Sequence, residues 1–210
     1  TAAPIELRGT LSGKPFTLPA GPVLLTLRTG FDRKTFDTSA YRRGITTDVS
    51  LRRNNSNAAF NVEVPLVERG LGALGGIGGL SVNGNMGFTD VSDVGMLIEY
   101  GAGLRWSPLD GLSLSASIIG DENAPTLSQL GNPVQVTPNV AVFDFTNGAS
   151  RFVDLVSGGN PLLVGESRRD LKIGADWSPK FVEGLNLQFE YFRNRSSNTT
   201  AAFPLLTPEI

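Results

Sequence analysis

Cysteine and histidine are both missing from the 210-residue sequence. Without cysteine the chain can form neither a disulfide framework nor a thiolate metal site. Without histidine it lacks the Ser-His-Asp and Cys-His arrangements of nucleophilic catalysis and the usual ligands of zinc. Only carboxylate, lysine or tyrosine chemistry remains, and we predict a protein that is not an enzyme and has no catalytic residue, cofactor or metal ion.

Long apolar runs and an excess of charge are missing as well. No run of 18 or more apolar residues occurs, which excludes a transmembrane helix but not a membrane β-barrel, whose spans are short and alternating. The 18 basic and 20 acidic residues give a net charge of −2 and are scattered along the chain, so we predict no nucleic-acid partner. Residues 1–4 show neither the basic nor the apolar part of a signal peptide.

What the sequence does contain is a regular alternation of apolar and polar residues. Between Met96 and Trp106 every second residue is apolar, and the residues between them include Glu99 and Arg105. From Leu112 onward leucine, alanine and isoleucine alternate with serine. Because successive side chains of a strand point to opposite sides, these stretches predict two paired strands with one apolar and one polar face.

The same alternation predicts an all-β fold for the whole chain. We expect an antiparallel up-and-down meander that forms a partial transmembrane β-barrel over residues 1–210, without a helix of convincing length. Residues 36–53 and 121–167 are predicted to be polar loops on one side of the sheet, and residues 121–167 form a single long extracellular loop. The predicted strands cover residues 5–11, 23–35, 55–66, 80–88, 96–106, 112–120, 170–177 and 185–195.

A glycine-rich stretch at residues 70–79 contains a formal G-x-G-x-x-G at Gly70, Gly72 and Gly75. A dinucleotide site requires a helix directly after this motif. The pattern from Leu80 onward has the period of a strand instead, and we interpret the glycine-rich stretch as a flexible turn.

The sequence also repeats itself around its two tryptophans. Trp106-Ser-Pro leads to a Gly-Leu-Ser-Leu strand start, and Trp177-Ser-Pro leads to Gly-Leu-Asn-Leu. Both tryptophans end a strand on its apolar face, which is the place of an aromatic girdle at a membrane interface. Phe31 and Tyr191 are predicted to lie toward the other rim.

The apolar faces could contact either lipid or a second protein layer. A soluble β-sandwich packs such faces together and leaves the polar faces in water. Three features favour lipid: polar faces rich in glycine, serine and asparagine, apolar faces of about 8 to 11 residues, and aromatics at strand ends.

Several stretches resemble, in the same order, the barrel of TonB-dependent outer-membrane receptors. The family's A-A-F-x-E-L-x-x-P-L strand is similar to residues 58–66, its Y-S-D-F-G hairpin to residues 82–95, and its G-L-R-W-x-P-x-x-G-L-x-L hairpin to residues 103–114. Its F-R-A-P-S-x-x-x-L segment resembles residues 123–130, and a later strand resembles residues 186–194.

The resemblance implies a function as well as a fold. It identifies the chain as an internal piece of a barrel that has about 22 strands in the family, with the plug domain and the C-terminal strand expected to be absent. It implies TonB-driven uptake across the bacterial outer membrane of a scarce, bulky ligand: an iron–siderophore complex, cobalamin or a glycan. The expected partners are outer-membrane lipid, TonB acting through the absent plug domain, and that ligand. In place of the family's Phe-Arg stands Glu122-Asn123.

Two groups of residues are predicted to carry this function. The long loop is expected to present a ligand-facing set, since loops on a rigid scaffold often carry binding. The ligand-facing residues are Glu122, Asn123, Arg151 and Asp154. The predicted lumen-facing residues are Arg28, Asp32, Glu63, Glu99, Arg105, Lys172, Asp176 and Glu190.

Two alternatives stay open on the sequence. The eight strands could close into a small outer-membrane barrel that serves as a structural protein or adhesin. A soluble β-sandwich could instead bind or cleave carbohydrate with a carboxylate pair such as Glu99 and Glu190, provided that the two groups lie at the separation that a glycosidase needs.

Overall fold

The structure is a computed structural model that describes residues 5–42, 44–70, 75–182 and 184–201. Residues 1–4, in which no signal peptide is expected, and residues 71–74 of the glycine-rich stretch lie outside this part. The long strands are β1 (Ile5–Gly13), β4 (Leu24–Arg42), β5 (Ile45–Val67), β6 (Gly79–Val91), β7 (Gly95–Leu109), β8 (Leu112–Asn123), β11 (Glu166–Trp177) and β12 (Leu187–Ser197).

Several shorter elements lie between the long strands. None of the helices in the described ranges is long and apolar enough to cross a membrane. The shorter elements are β2 (Thr17–Leu18), β3 (Gly21–Pro22), a 3-10 helix (Gly75–Ile77), α1 (Leu127–Gly131), β9 (Gln135–Asp144) and β10 (Ala149–Ser157).

The eight long strands form one antiparallel sheet in the order β1-β4-β5-β6-β7-β8-β11-β12. Each strand pairs with the next long strand along the chain, which confirms the predicted meander. β2 and β3 form a small hairpin between β1 and β4, while β9 and β10 form a second hairpin between β8 and β11. A strand follows the glycine-rich stretch, as expected for a turn. We call the end with α1 and the β9–β10 hairpin the insertion end, and the opposite end the tryptophan end.

The prediction of a loop at residues 36–53 is wrong. β4 continues to Arg42 and β5 begins at Ile45, so that this polar stretch is a long hairpin paired residue by residue from Phe36 opposite Leu51 to Arg42 opposite Ile45. Backbone pairing satisfies the main-chain polar groups of a hairpin whatever its side chains are. The hairpin therefore forms without the alternation that marks the other strands.

The long segment at residues 121–167 is not irregular either. Its first residues complete β8, its last residues begin β11, and α1 and the β9–β10 hairpin lie between them. The side chain of Thr126 accepts a hydrogen bond from the backbone of Gln129, and the Gln129 side chain accepts one from the backbone of Thr126. This reciprocal capping box fixes the start of α1.

The register places most of the large apolar residues of the eight strands on one face. Directly paired residues share a face, and the pairs link Leu104 to Val82 on one side and to Ala116 on the other. Ala116 is opposite Ile173, which in turn is opposite Tyr191. We call this face the apolar belt. Its members include Leu7, Leu11, Leu25, Leu27, Phe60, Val62, Val82, Met86, Ile98, Tyr100, Leu104, Trp106, Leu114, Ile118, Ile173, Trp177, Phe189 and Tyr191.

No second layer covers the apolar belt within the described residues, and the soluble β-sandwich is therefore wrong. The protein exposes 14721 Å² of surface, whereas a compact monomer of 22.3 kDa exposes about 9400 Å². The buried apolar side chains of the described part are Val23, Val67 and Val91. Large belt residues remain open, with Tyr100 at 36%, Ile173 at 43% and Leu187 at 46% exposure.

The sheet has two free edges, and a closed eight-stranded barrel is therefore wrong too. β1 pairs only with β4, and β12 pairs only with β11, among the residues that the structure describes. The hypothesis that Glu99 and Glu190 form the carboxylate pair of a glycosidase is also wrong. Through Gly174 and Ser115, Glu190 is in register with Arg105. Three strand spacings and six residues therefore place the two carboxylates on the order of 25 Å apart, whereas glycosidases need about 5–9.5 Å.

The tryptophan end is held together by contacts between turns. The indole N–H of Trp106 donates to the carbonyl of Ile77 at 2.9 Å, and the ring of Trp177 packs edge-on against Phe181 with centroids 6.0 Å apart. Asp110 pairs with both Arg69 and Lys180. Both tryptophans therefore lie at one end of the belt, as the repeated Trp-Ser-Pro predicted.

Candidate functional site

A polar cleft of about 570 Å³ lies on the face opposite the apolar belt, at the insertion end. Five neighbouring strands, β4 to β8, supply one wall, and the segment that leads into α1 supplies the other. The cleft is lined by Lys34, Thr35, Phe36, Arg53, Asn55, Thr89, Val91, Leu97, Glu99, Glu122, Asn123, Ala124, Thr126, Leu127 and Ser128.

The cleft is built around Arg53, whose side chain is only 6% exposed. Its Nε and Nη2 donate to the two carboxylate oxygens of Asp93 at 2.7 and 2.6 Å, a bidentate pair. Its Nη1 donates to the carbonyl of Pro125 at 2.6 Å. One guanidinium thus joins the β6–β7 turn to the segment that enters α1, and we call this set the Arg53 clamp.

The electrostatics of the clamp favour the ionised carboxylate. Hydrogen bonding from Arg53 lowers the pKa of Asp93 below its ordinary value of 3.8, and this effect outweighs the opposing effect of burial. The same hydrogen bonds satisfy the buried arginine. The clamp therefore holds a full charge pair at neutral pH.

Next to Arg53 on the same face lies Asn55, which is also buried. Its Nδ2 donates to the Asp32 carboxylate at 3.0 Å, and Lys34 lies 3.5 Å from the same carboxylate. The Asn55 Oδ1 is buried and has no hydrogen-bond partner among the described residues. The floor of the cleft thus carries one free acceptor beside a charged pair.

Two of the four predicted ligand-facing residues, Glu122 and Asn123, border this cleft together with the predicted lumen residue Glu99. The Glu122 carboxylate accepts the backbone N–H of Ile98 at 3.1 Å, while the Asn123 side chain bonds Asp121. These contacts tie both residues to the rim of the sheet.

The other two, Arg151 and Asp154, lie on β10. Arg151 is 3.9 Å from Asp144 across the β9–β10 hairpin, and Asp154 lies in an irregularity of the pairing between Val153 and Leu155. The structure therefore does not gather the four residues into one site, and a role for them in ligand contact stays a prediction.

All eight predicted lumen-facing residues lie on the polar face by register. Lys172 and Glu190 form an ion pair at 2.8 Å, and Asp32 pairs as described above. Arg28 and Arg105 are exposed and form no ion pair with any described residue. The function of this face in a lumen stays a prediction.

Glycines opposite longer polar side chains shape this face. Asn83 faces Gly103, and Asn85 faces Gly101, in directly paired positions. A Cβ at either glycine would collide with the asparagine amide across the strand. The amides therefore lie flat over the neighbouring strand and leave the space above the face open.

A second cleft, of about 740 Å³, lies between the tip of the β4–β5 hairpin and the insertion. Arg42 donates to the carbonyl of Val136 at 2.9 Å, and Leu51 packs so closely on α1 that a Cβ at Gly131 would collide with it. The insertion thus rests against the polar-face side of the hairpin.

Comparison with known proteins supports the fold. The chain matches the siderophore receptor PirA from Pseudomonas aeruginosa with a TM-score of 0.60. The match has 17% sequence identity and covers 91% of this chain but only 31% of the receptor. The eight-stranded meander is therefore the fold of part of that receptor's barrel. No protein-family model and no curated protein sequence matches the chain.

The sequence does not predict the Arg53 clamp, because the polar residues around Arg53 predict a loop there. The carboxylate and the carbonyl that it binds lie 40 and 72 residues away along the chain. Alternation reports the direction of a side chain and carries no information on such partners. The available signal was local: the spacing of Thr126 and Gln129 is that of a capping box and predicts the start of a helix.

Proposed function

We propose that the chain is part of the wall of a β-barrel transporter of the TonB-dependent class in the bacterial outer membrane. Such a transporter takes up a scarce, bulky ligand, of which an iron–siderophore complex, cobalamin and a glycan are the candidates. In the whole protein, a plug domain that responds to TonB would occupy the space beside the polar face.

The observation that carries the proposal is the apolar belt. It runs through all eight strands, its large side chains are exposed, and the residues that alternate with them along each strand form a face of serine, asparagine, glycine and paired charges. A belt of this extent is incompatible with water and fits hydrocarbon. A sheet can meet hydrocarbon because its backbone groups are satisfied between strands, provided that no edge is left free.

The free edges of β1 and β12 fit a larger barrel. A wall segment is expected to continue into further strands on both sides, since only closure removes unpaired edges from lipid. The match to the siderophore receptor covers only 31% of that receptor. This supports the interpretation that the chain forms one part of a larger barrel.

The uptake of a ligand is supported by the clefts at the insertion end. Membrane barrels carry their larger excursions on the outer side, and here α1, the β9–β10 hairpin and the extended β4–β5 hairpin all lie at that end. The polar cleft under α1 would then lie at the outer mouth of the barrel. The cleft contains a positive charge at Lys34, a negative charge at Glu99 and a free amide oxygen acceptor at Asn55.

A pair of arginine substitutions tests the belt. Leu104→Arg and Ile173→Arg each introduce a cation on the apolar face, and each is expected to reduce stability by about 2–4 kcal/mol if the site lies near the bilayer midplane. The measurement is urea unfolding of the whole protein from phospholipid vesicles, together with the yield of membrane assembly.

Ser113→Arg is the matched control, because Ser113 lies on the polar face of β8 directly opposite Asp176. It adds the same side chain where water reaches it, and we expect assembly close to that of the wild type. Normal assembly of both belt variants would exclude lipid as the neighbour of this face.

A further inference from the structure

Three arginines lie on the belt face at the insertion end, directly beyond the last apolar residues of β11 and β12. Arg169 is opposite Arg195, and Arg193 is opposite Leu171, the outermost apolar residue of its strand. Direct pairing places the Cα atoms of Arg169 and Arg195 about 5 Å apart, and Arg193 lies about 7 Å farther along the same face. We call these three residues the arginine triad.

The triad has no counter-charge in the described part of the chain. All three side chains are exposed, and none forms an ion pair there. Like charges directly opposite each other on a sheet are unfavourable unless an anion lies between them. Glu122, at the rim of the neighbouring strand and opposite Ser167, accepts the N–H of Ile98 and forms no ion pair with the triad.

Other parts of the same rim differ. On β4 and β6 it carries the acids Asp37 and Asp90, and Arg33 on β4 is bonded to Asn54 at 2.8 Å. Arg52 on β5 is another exposed cation on this face without an ion pair, but it lies opposite Thr35. Within the described strands, arginines that lie directly opposite each other on this face therefore occur only on β11 and β12.

One member of the triad is held in place by a tyrosine two strands away. The Nε of Arg169 donates to the hydroxyl of Tyr100 at 3.0 Å. Gly120 lies between the two strands, and a Cβ there would collide with the Tyr100 ring. The ring therefore crosses over the glycine and leaves both terminal nitrogens of Arg169 available to an anion.

We propose that the arginine triad binds the phosphate-bearing headgroup of a membrane lipid. The three guanidiniums offer a set of donors that suits a phosphate group. The acyl chains would lie along Leu171, Ile173 and Tyr191 of the belt below. The cations directly adjoin the apolar belt. This arrangement favours a lipid, whose acyl chains can contact the belt, over free phosphate, which has no apolar part. The inference rests on the proposed membrane location of the belt.

The test uses the whole barrel protein in non-ionic micelles with two lipids that have identical acyl chains, phosphatidylglycerol and phosphatidylcholine. Native mass spectrometry counts the lipids that each protein retains. We expect the wild type to prefer phosphatidylglycerol, and Arg169→Gln with Arg195→Gln to reduce this preference about tenfold. Lysine at both positions should restore part of it, since the charges return without the guanidinium geometry.

Arg28→Gln with Arg105→Gln is the matched control, because both residues are exposed and free of ion pairs but lie on the polar face. It removes the same charge and should leave the preference unchanged. Equal loss in the control would overturn the proposal and indicate a general charge effect. Absence of a preference in the wild type would overturn it as well.

Two further arms separate this inference from the proposed function. Displacement of phosphatidylglycerol by an equal concentration of inorganic phosphate would show a phosphate site without a role for the acyl chain, and the lipid proposal would be wrong. Vesicle association is measured in parallel for all variants. A wild type that enters vesicles without a headgroup preference contradicts only the triad, whereas one that does not enter them contradicts the transporter as well.

Discussion

At the scale of single residues, the most constrained side chain is that of Arg53. It is a buried cation, and three of its five donors bond to two carboxylate oxygens and one carbonyl. Buried charges of this kind persist in proteins only when they are paired and hydrogen-bonded. Its partners belong to two segments that are otherwise joined only through the sheet, so that the residue connects local chemistry to the placement of α1.

Substitution of Arg53 by leucine tests this connection. It leaves the Pro125 carbonyl and the Asp93 carboxylate without their donor, and we expect a loss of about 2–3 kcal/mol in the free energy of unfolding. Faster hydrogen exchange in α1 should accompany it. Arg52→Leu is the control, since Arg52 is the exposed neighbour on the other face, and its effect should stay within about 0.5 kcal/mol. Equal effects of the two substitutions would contradict the clamp.

The clamp also predicts a dependence on pH. Because the folded state lowers the pKa of Asp93 below 3.8, the clamp's contribution to stability is present above pH 3.8 and is lost as the pH falls through the folded pKa. Asp93→Asn removes the titrating group. We expect wild type and variant to differ in urea midpoint at pH 7 and to converge below pH 3.8. A difference that persists unchanged in acid would show that Asp93 does not act through its charge.

At the scale of elements, the eight long strands were predictable because one rule governs them. Each strand has one face toward the belt and one toward the polar side, and the alternation of a sequence such as Leu112–Ile118 records that arrangement directly. The order of the strands followed from the meander, in which neighbours in sequence are neighbours in the sheet.

Two elements were not predictable in this way, for physical reasons. The outer part of the β4–β5 hairpin lies beyond the apolar belt, and the insertion covers only part of it, so that no face of it selects apolar residues throughout. α1 has only five residues, fewer than are needed to show a helical period. Its placement depends on Arg53, on Leu51 and on the hairpin itself. The clefts are formed by these same elements and were missed with them.

Two glycines in turns at the tryptophan end allow a sharper test of how elements meet. Gly111 and Gly184 have nearly the same φ, +78° and +77°. A Cβ at Gly111 would collide with the carbonyl oxygen of Ser178, whose N–H donates to Gly111 at 2.7 Å. A Cβ at Gly184 would have no heavy atom of the described residues within 4 Å. Both positions therefore require the left-handed backbone conformation. They differ in that a neighbouring turn lies against Gly111 and not against Gly184.

Alanine at each glycine separates these effects. We expect Gly184→Ala to cost about 1 kcal/mol for the left-handed conformation, and Gly111→Ala to cost about 2–4 kcal/mol because the collision is added. Urea unfolding measures both. Equal losses would show that the two turns are not in contact as described, and that the tryptophan end is looser than the structure indicates.

At the scale of the whole molecule, the proposed function depends on how the apolar surface is distributed. A chain of 210 residues normally stabilises itself by burying a core. Here the apolar residues lie on one exposed face, and three valines are the buried apolar residues of the described part. The hydrophobic effect can stabilise such a sheet only if something other than this chain covers the belt. The proposed transporter follows from lipid being that cover.

The most direct measurement is a scan of nitroxide labels along β8, one cysteine at a time from residue 112 to residue 119, with the protein in phospholipid vesicles. The chain has no cysteine of its own, so each label reports a single position. We predict that labels at even positions, on the belt, collide with oxygen dissolved in the lipid, while those at odd positions collide with a water-soluble nickel chelate. A scan without this alternation, or even positions shielded from both reagents, would contradict a belt in contact with lipid.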